Sequence, residues 1–135
     1  MQTTTPECLL VRPSSTVKGK QGLLYDVGIS ADSVGAHGIY MQIVRIPRGG
    51  RAKAHKHERH ESAIYALQGV SHCWHGESLE HHTVVSPGDF FYIPAGVPHL
   101  PYNPSKTEEI VAIVCRTDPN EQESVVLLPE LDVLR

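Results

Sequence analysis

Apolar residues in this chain gather in short bursts separated by glycine, proline and polar turns, and nowhere do they keep the three-and-four spacing of an amphipathic helix. The bursts are rich in β-branched and aromatic residues. They predict strands near Leu23–Ile29, Ile39–Ile46, Ala54–His57, Ala63–Leu67 and Val70–Trp74. Further strands are expected near Thr83–Val85, Phe90–Ile93, Ile110–Arg116 and Val125–Leu128. Between them lie KGKQG, SADSVGAHG, PRGG, HGES, SPGD, PAGVP, YNPSK and TDPNEQ, each a cluster of turn formers. Many short strands at intervals of roughly 8 to 12 residues point to an all-β sandwich or barrel. No repeat, low-complexity tract or linker interrupts the pattern. Residues 1–8, polar and Thr-rich, are expected to form a loose arm. The C-terminal VVLLPELDVLR is apolar enough to need a partner surface, either the outside of the same barrel or a second subunit.

A chain of 135 residues is expected to form one domain, 1–135, large enough to bury a core without disulfides. Twelve Lys and Arg against fifteen Asp and Glu leave a formal charge of −3, without the basic excess of a nucleic-acid or anionic-membrane binder. The N-terminal MQTTTPECLLVRP lacks a charged region followed by a long apolar run, and no apolar stretch approaches the ~20 residues of a membrane span. A cytoplasmic protein with no membrane partner is expected. Cys8, Cys73 and Cys115 are odd in number, widely spaced and free of any C-x-x-C pattern, so buried thiols are expected, with neither a disulfide framework nor a thiolate zinc site.

The chemistry concentrates between Gly49 and Gly69, GGRAKAHKHERHESAIYALQG, where His55, His57, His60 and Glu61 fall within seven residues. Side chains alternate along a strand, so His55 and His57 point to the same face. Such a pair is half of a metal site, since neutral imidazole suits Zn, Cu, Fe and Ni and needs one or two further His or carboxylate ligands. A second stretch, Gly88 to Asn103, GDFFYIPAGVPHLPYN, uses glycines and prolines to deliver His99 just after a tight turn.

Together the two stretches resemble the paired motifs of the cupin superfamily. The second motif, G-x5-P-x-G-x2-H-x3-N, is matched by Gly88, Pro94, Gly96, His99 and Asn103. The first, G-x5-H-x-H-x3,4-E-x6-G, is matched by Gly49, His55, His57 and Gly69, but its carboxylate fits only with a slip. Counted forward from His57, Glu61 takes the acidic position; counted back from Gly69, Ser62 does. A bulge at the entry to the following strand would turn Glu61 inward and make a site of His55, His57, Glu61 and His99. Without one, Ser62 faces the metal and the site has His55, His57 and His99 alone. Gly88, Pro94 and Gly96 read as turn formers that aim His99.

The resemblance covers roughly Ile39 to Arg116 and implies a single jelly-roll barrel holding one divalent transition metal per chain, Fe, Mn, Ni, Cu or Zn. It also implies paired barrels, which makes the C-terminal run a candidate homodimer contact. His60 is a candidate pocket acid or base or a rim histidine. His72, His75, His81 and His82 read as surface or rim, and Phe90, Phe91, Tyr92 and Tyr102 as core or pocket wall. The function expected is that of a small metal-dependent enzyme acting on a small oxygenated or anionic molecule, with dioxygenase chemistry ahead of isomerase or lyase chemistry. The alternative is a non-catalytic module that binds a small molecule or metal.

Overall fold

A computed structural model describes residues 5–13, 16–121 and 124–135 of the chain. Residues 5–8 are exposed and take no regular structure, while residues 1–4 of the expected arm and residue 122 of the TDPNEQ turn lie outside the described residues.

The strand pattern is realised as two antiparallel sheets. One is built from β1 (Val17–Lys18), β2 (Leu24–Ile29), β3 (Tyr40–Ile46), β5 (Ser62–Gln68), β8 (Phe90–Ile93) and β10 (Ile110–Arg116), in the order β1-β2-β3-β10-β5-β8. The other contains β4 (His55–His57), β6 (Ser71–His75), β7 (His81–Val85), β9 (His99–Tyr102) and β11 (Val125–Leu127), in the order β11-β4-β9-β6-β7. This is the all-β jelly roll that the two motifs implied. Alternation along each strand sends one row of side chains inward. On β3 the row is Tyr40, Gln42, Val44 and Ile46, and on β10 it begins with Ile110 and Ala112, all of them buried.

Four elements were not foreseen. The two-residue β1 is too short for periodicity to show. Strand β9 carries Pro101, which reads as a breaker. A strand proline is confined to places where its missing N–H costs no ladder bond, and β9 meets β4 at a single register pair, His55 opposite His99. The short helices α1 (Ala31–Val34) and α2 (Pro129–Asp132) are each one turn long, so no apolar period marks them. Helix α1 is made by its caps: the Ser33 amide donates to Ser30 Oγ at 3.0 Å, and Gly35 closes the turn at φ 72°.

The apolar C-terminal run finds its partner on its own barrel. Strand β11 pairs with β4, and Leu128 and Leu131 pack on the buried cluster of Ala54, Leu79 and Leu100. The rest of the run is only partly covered, with Leu127, Val133 and Leu134 exposed at 39%, 84% and 47%. Two other expectations are corrected by position. Cys8 is exposed in the N-terminal segment, whereas Cys73 is buried and Cys115 half-buried. Phe90 and Tyr92 are 82% and 58% exposed, because β8 is an edge strand and both lie on its outward face; Phe91, between them, turns inward. No helix among the described residues is long and apolar enough to cross a membrane.

Candidate metal centre

Strands β4 and β9 place His55, His57 and His99 on the inward face of the five-stranded sheet. All are buried, at 2%, 6% and 3% exposure, and one ring nitrogen from each lies within 4.8 Å of the others. Ring centroids are 5.0 Å apart for His55 and His57, 4.2 Å for His55 and His99, and 5.1 Å for His57 and His99.

Local backbone sets the tautomers. His55 Nδ1 lies 2.6 Å from the Lys53 carbonyl and His99 Nδ1 lies 3.0 Å from the Val97 carbonyl. A carbonyl only accepts, so each Nδ1 carries the proton and each Nε2 keeps its lone pair. This is the second-row partner that a metal-binding histidine ordinarily has. The turn that aims His99 is tied to the same site, because the Gly96 amide donates to the His57 carbonyl at 2.7 Å. Gly96 sits at φ 81°, in the left-handed region that side chains disfavour, so glycine is required there.

The other predicted residues divide. Ser62 is buried and lines the same cavity as the three imidazoles, whereas Glu61 is exposed. The reason is register: β5 begins without a bulge, Ser62 lying opposite Arg116 on one side and Ile93 on the other. The irregularity in β5 comes at the far end, where Val111 pairs with Gln68 and Ala112 with Ala66, leaving Leu67 as the extra residue. The structure therefore does not bring Glu61 to the imidazoles. The Glu61 backbone instead exchanges hydrogen bonds with Thr117, its amide donating to Oγ1 and its carbonyl accepting from the amide, both at 3.2 Å.

His60 is 3% exposed and packs behind His57, with ring centroids 4.6 Å apart. Its Nδ1 stands 3.6 Å from Asp118 Oδ2, and it lines a separate, open depression with Asp118 and Asn120, away from the central cavity. His81 and His82 are exposed, while His72 and His75 are half-buried on β6. Burial, followed by the neighbouring His82, holds the His72 pKa below the ordinary imidazole value. Asn103, the last residue of the second motif, does structural work: its side-chain amide donates to the carbonyls of Ile46, Pro47 and Glu108 at 3.1, 3.2 and 2.8 Å.

The cavity between the sheets measures about 100 Å³. At the ~10–15 Å³ that one water occupies on this measure, it admits a molecule of only several non-hydrogen atoms. Its walls are mostly apolar, from residues such as Leu23, Val44, Ile64 and Ile93, but Gln42, Cys73 and Arg116 also line it. Burial raises the Cys73 thiol to about 12, partly opposed by a backbone hydrogen bond at Leu100, so it stays a neutral thiol. Sequence reading did not single out Gln42, Cys73 or Arg116 as site residues. For Gln42 and Arg116 the signal was present, since each falls on the inward row of a strand whose other inward positions are largely apolar; Cys73 shares its row with Ser71 and His75, which hid it.

The Cupin domain family model matches residues 42–115, more than half of the chain. The chain belongs to the cupin family. Among solved structures, this cupin is similar to the oxalate decarboxylase of Lactobacillus farciminis in its formate complex, with a TM-score of 0.71 and 22% identity over 84% of the chain. It is also similar to a recombinant oxalate oxidase in complex with glycolate, with a TM-score of 0.66 and 23% identity over 80% of the chain. An uncharacterized double-stranded β-helix protein from Klebsiella pneumoniae aligns over 89% of the chain and 86% of its own length, at 16% identity and a TM-score of 0.66. The chain spans 33% of the oxalate decarboxylase and 56% of the oxalate oxidase. Likeness at these identities establishes the shared fold. No curated protein matches the sequence.

Proposed function

We propose that this cupin is a metal-dependent enzyme of dioxygenase type that acts on a small oxygenated or anionic molecule, with His55, His57 and His99 as its metal ligands. The observation that carries the reading is the donor set itself: three buried imidazoles with ligand atoms within 4.8 Å, two of them with Nδ1 tied to backbone carbonyls, opening on a small apolar cavity. These residues fit a divalent transition ion, Fe, Mn, Ni, Cu or Zn, because neutral imidazole nitrogens suit Fe, Ni, Cu and Zn and a three-residue set leaves positions for exogenous oxygen ligands of the kind Mn prefers. Such an ion would supply Lewis acidity and a template for substrate and oxidant.

The chain's own residues provide the rest. His55 and His99 hold their Nε2 lone pairs toward the site through their carbonyl partners. Ser62, which takes the motif's acidic position when the count runs back from Gly69, offers a neutral hydroxyl and adds no charge. The apolar walls exclude bulk water and limit the substrate to a few heavy atoms, while the Cys73 thiol stays protonated and adds no competing thiolate. The oxalate decarboxylase and oxalate oxidase neighbours were solved with formate and glycolate, which are small acids of a size that this cavity admits.

Two measurements test the proposal. Metal content by mass spectrometry should be about one ion per chain and should fall sharply in His55→Ala, His57→Ala and His99→Ala, with melting curves showing that each variant still folds. The iron(II)-loaded protein under anaerobic nitric oxide should give a half-integer-spin EPR signal that shifts when a bound small acid is added, and oxygen uptake should accompany turnover. Absence of a nitrosyl signal from metal-replete protein would mean a closed shell and would sink the dioxygenase reading. A signal that no small acid perturbs, with no oxygen consumed, would leave a metal-binding module.

A further inference from the structure

We propose that Arg116 determines the substrate charge of this cavity by binding a carboxylate of the substrate from the sheet that faces the imidazoles; the inference rests on reading the cavity as the substrate site. Arg116 closes the inward row of β10, after Ile110, Ala112 and Val114, all of which line the cavity. It lies opposite Ser62 on one side of its strand and Tyr40 on the other. A guanidinium remains charged at any working pH, and only 5% of this residue is exposed, so a permanent positive charge sits on an otherwise mostly apolar wall.

The side chain is fixed before any ligand arrives. Its Nε donates to the Asp118 carbonyl at 3.1 Å, a terminal nitrogen donates to the Asn120 carbonyl, and the guanidinium carbon lies 3.4 Å from the centroid of the Tyr40 ring. The Tyr40 hydroxyl in turn donates to Gln42, another inward residue of the same wall. A planar fork held by carbonyls and an aromatic face keeps its orientation, so little side-chain entropy is lost when a carboxylate docks. Glu121 lines a small adjoining depression with Arg116, and its carboxylate accepts a 2.6 Å hydrogen bond from Ser30 Oγ. Together these features make the cavity selective for acids over neutral molecules of the same shape.

The experiment compares formate, glycolate and pyruvate with their neutral amides by calorimetry. Each pair is measured on the metal-loaded protein and again after chelation, in wild type, Arg116→Gln and Arg116→Lys. A charge-assisted contact predicts that wild type prefers at least one acid over its amide by about ten- to a hundredfold, with part of that preference surviving chelation. Arg116→Gln should collapse the ratio while leaving amide affinity and metal content within about twofold. Arg116→Lys should keep an intermediate ratio, and it carries the test if the Gln variant does not fold. An acid-to-amide ratio unchanged by both substitutions overturns the proposal, as does failure of all three acids to bind wild type. Acid preference in a protein that never takes up metal would instead defeat the metal reading and leave Arg116 its role.

Discussion

At the scale of single residues, the carboxylate slip in the first motif is decided by the pleat. Ser62 enters β5 in regular register and turns inward, so the neighbouring Glu61 turns outward. Glu61→Ala is therefore expected to leave the metal dissociation constant unchanged, and Ser62→Glu, which supplies an acid from the inward position, to tighten it by about tenfold or more. Metal titration of both variants checks this. A weakened Glu61→Ala protein would show that the exposed carboxylate reaches the ion after all. Cys73 gives a second residue-level expectation. A buried thiol held at about 12 is not a thiolate near neutral pH, so a disulfide reagent at about pH 8 should label exposed Cys8 quickly and Cys73 only after denaturation. Rapid labelling of Cys73 in the native protein, followed by peptide mapping, would contradict its burial.

At the scale of elements, the longer strands were legible because half-buried strands alternate. The predicted Phe90–Ile93 and Ile110–Arg116 match their strands end to end, and β3 differs from its prediction by one residue. What escaped had no period to show: a two-residue strand, two one-turn helices and a strand containing Pro101. The three histidines were legible for a different reason. H-x-H on a strand puts both rings on one face, and the Pro94 to His99 turn fixes where the third arrives. Arg116, Gln42 and Cys73 needed the sheet pairings, because an inward position on one strand becomes a site residue only when the facing sheet is known. The Asn103 clamp belongs to the same class, since it binds carbonyls at Ile46 and Pro47, distant in sequence, as well as Glu108 nearby. Asn103→Ala strips these carbonyls of a donor, and it should cost about 3 kcal/mol in a denaturant titration. Metal content should stay near one per chain, since the clamp lies beyond the ligand-bearing end of β9. Loss of metal without loss of stability would reverse that assignment.

At the scale of the molecule, the C-terminal segment is coupled to the candidate metal centre through hydrogen bonding. Strand β11 pairs Val125 with His57 and Leu127 with His55, so its ladder runs along the strand bearing two of the three candidate ligands. The segment is fastened at several further points. The Ala54 amide donates to Asp132 Oδ1 at 2.7 Å, Arg135 donates to the Leu79 carbonyl from Nε at 3.2 Å, and its guanidinium stacks 3.9 Å above the Trp74 ring. A chain ended at Asn120 would leave β4 as an open edge and uncover Ala54, Leu79 and Leu100, which are nearly fully buried in the intact protein. Such a chain is expected to melt well below the full-length protein and to retain much less metal, although every ligand is still present. Asp132→Ala, a smaller lesion that removes the side-chain acceptor shared by the Ala54 amide and Arg51, should cost about 1–2 kcal/mol and leave the metal bound. Thermal melts and metal analysis of both variants, with light scattering to detect aggregation through the new edge, separate the contributions of strand and cap. A truncated chain with full-length stability and metal content would show that β4 keeps its geometry through β9 alone.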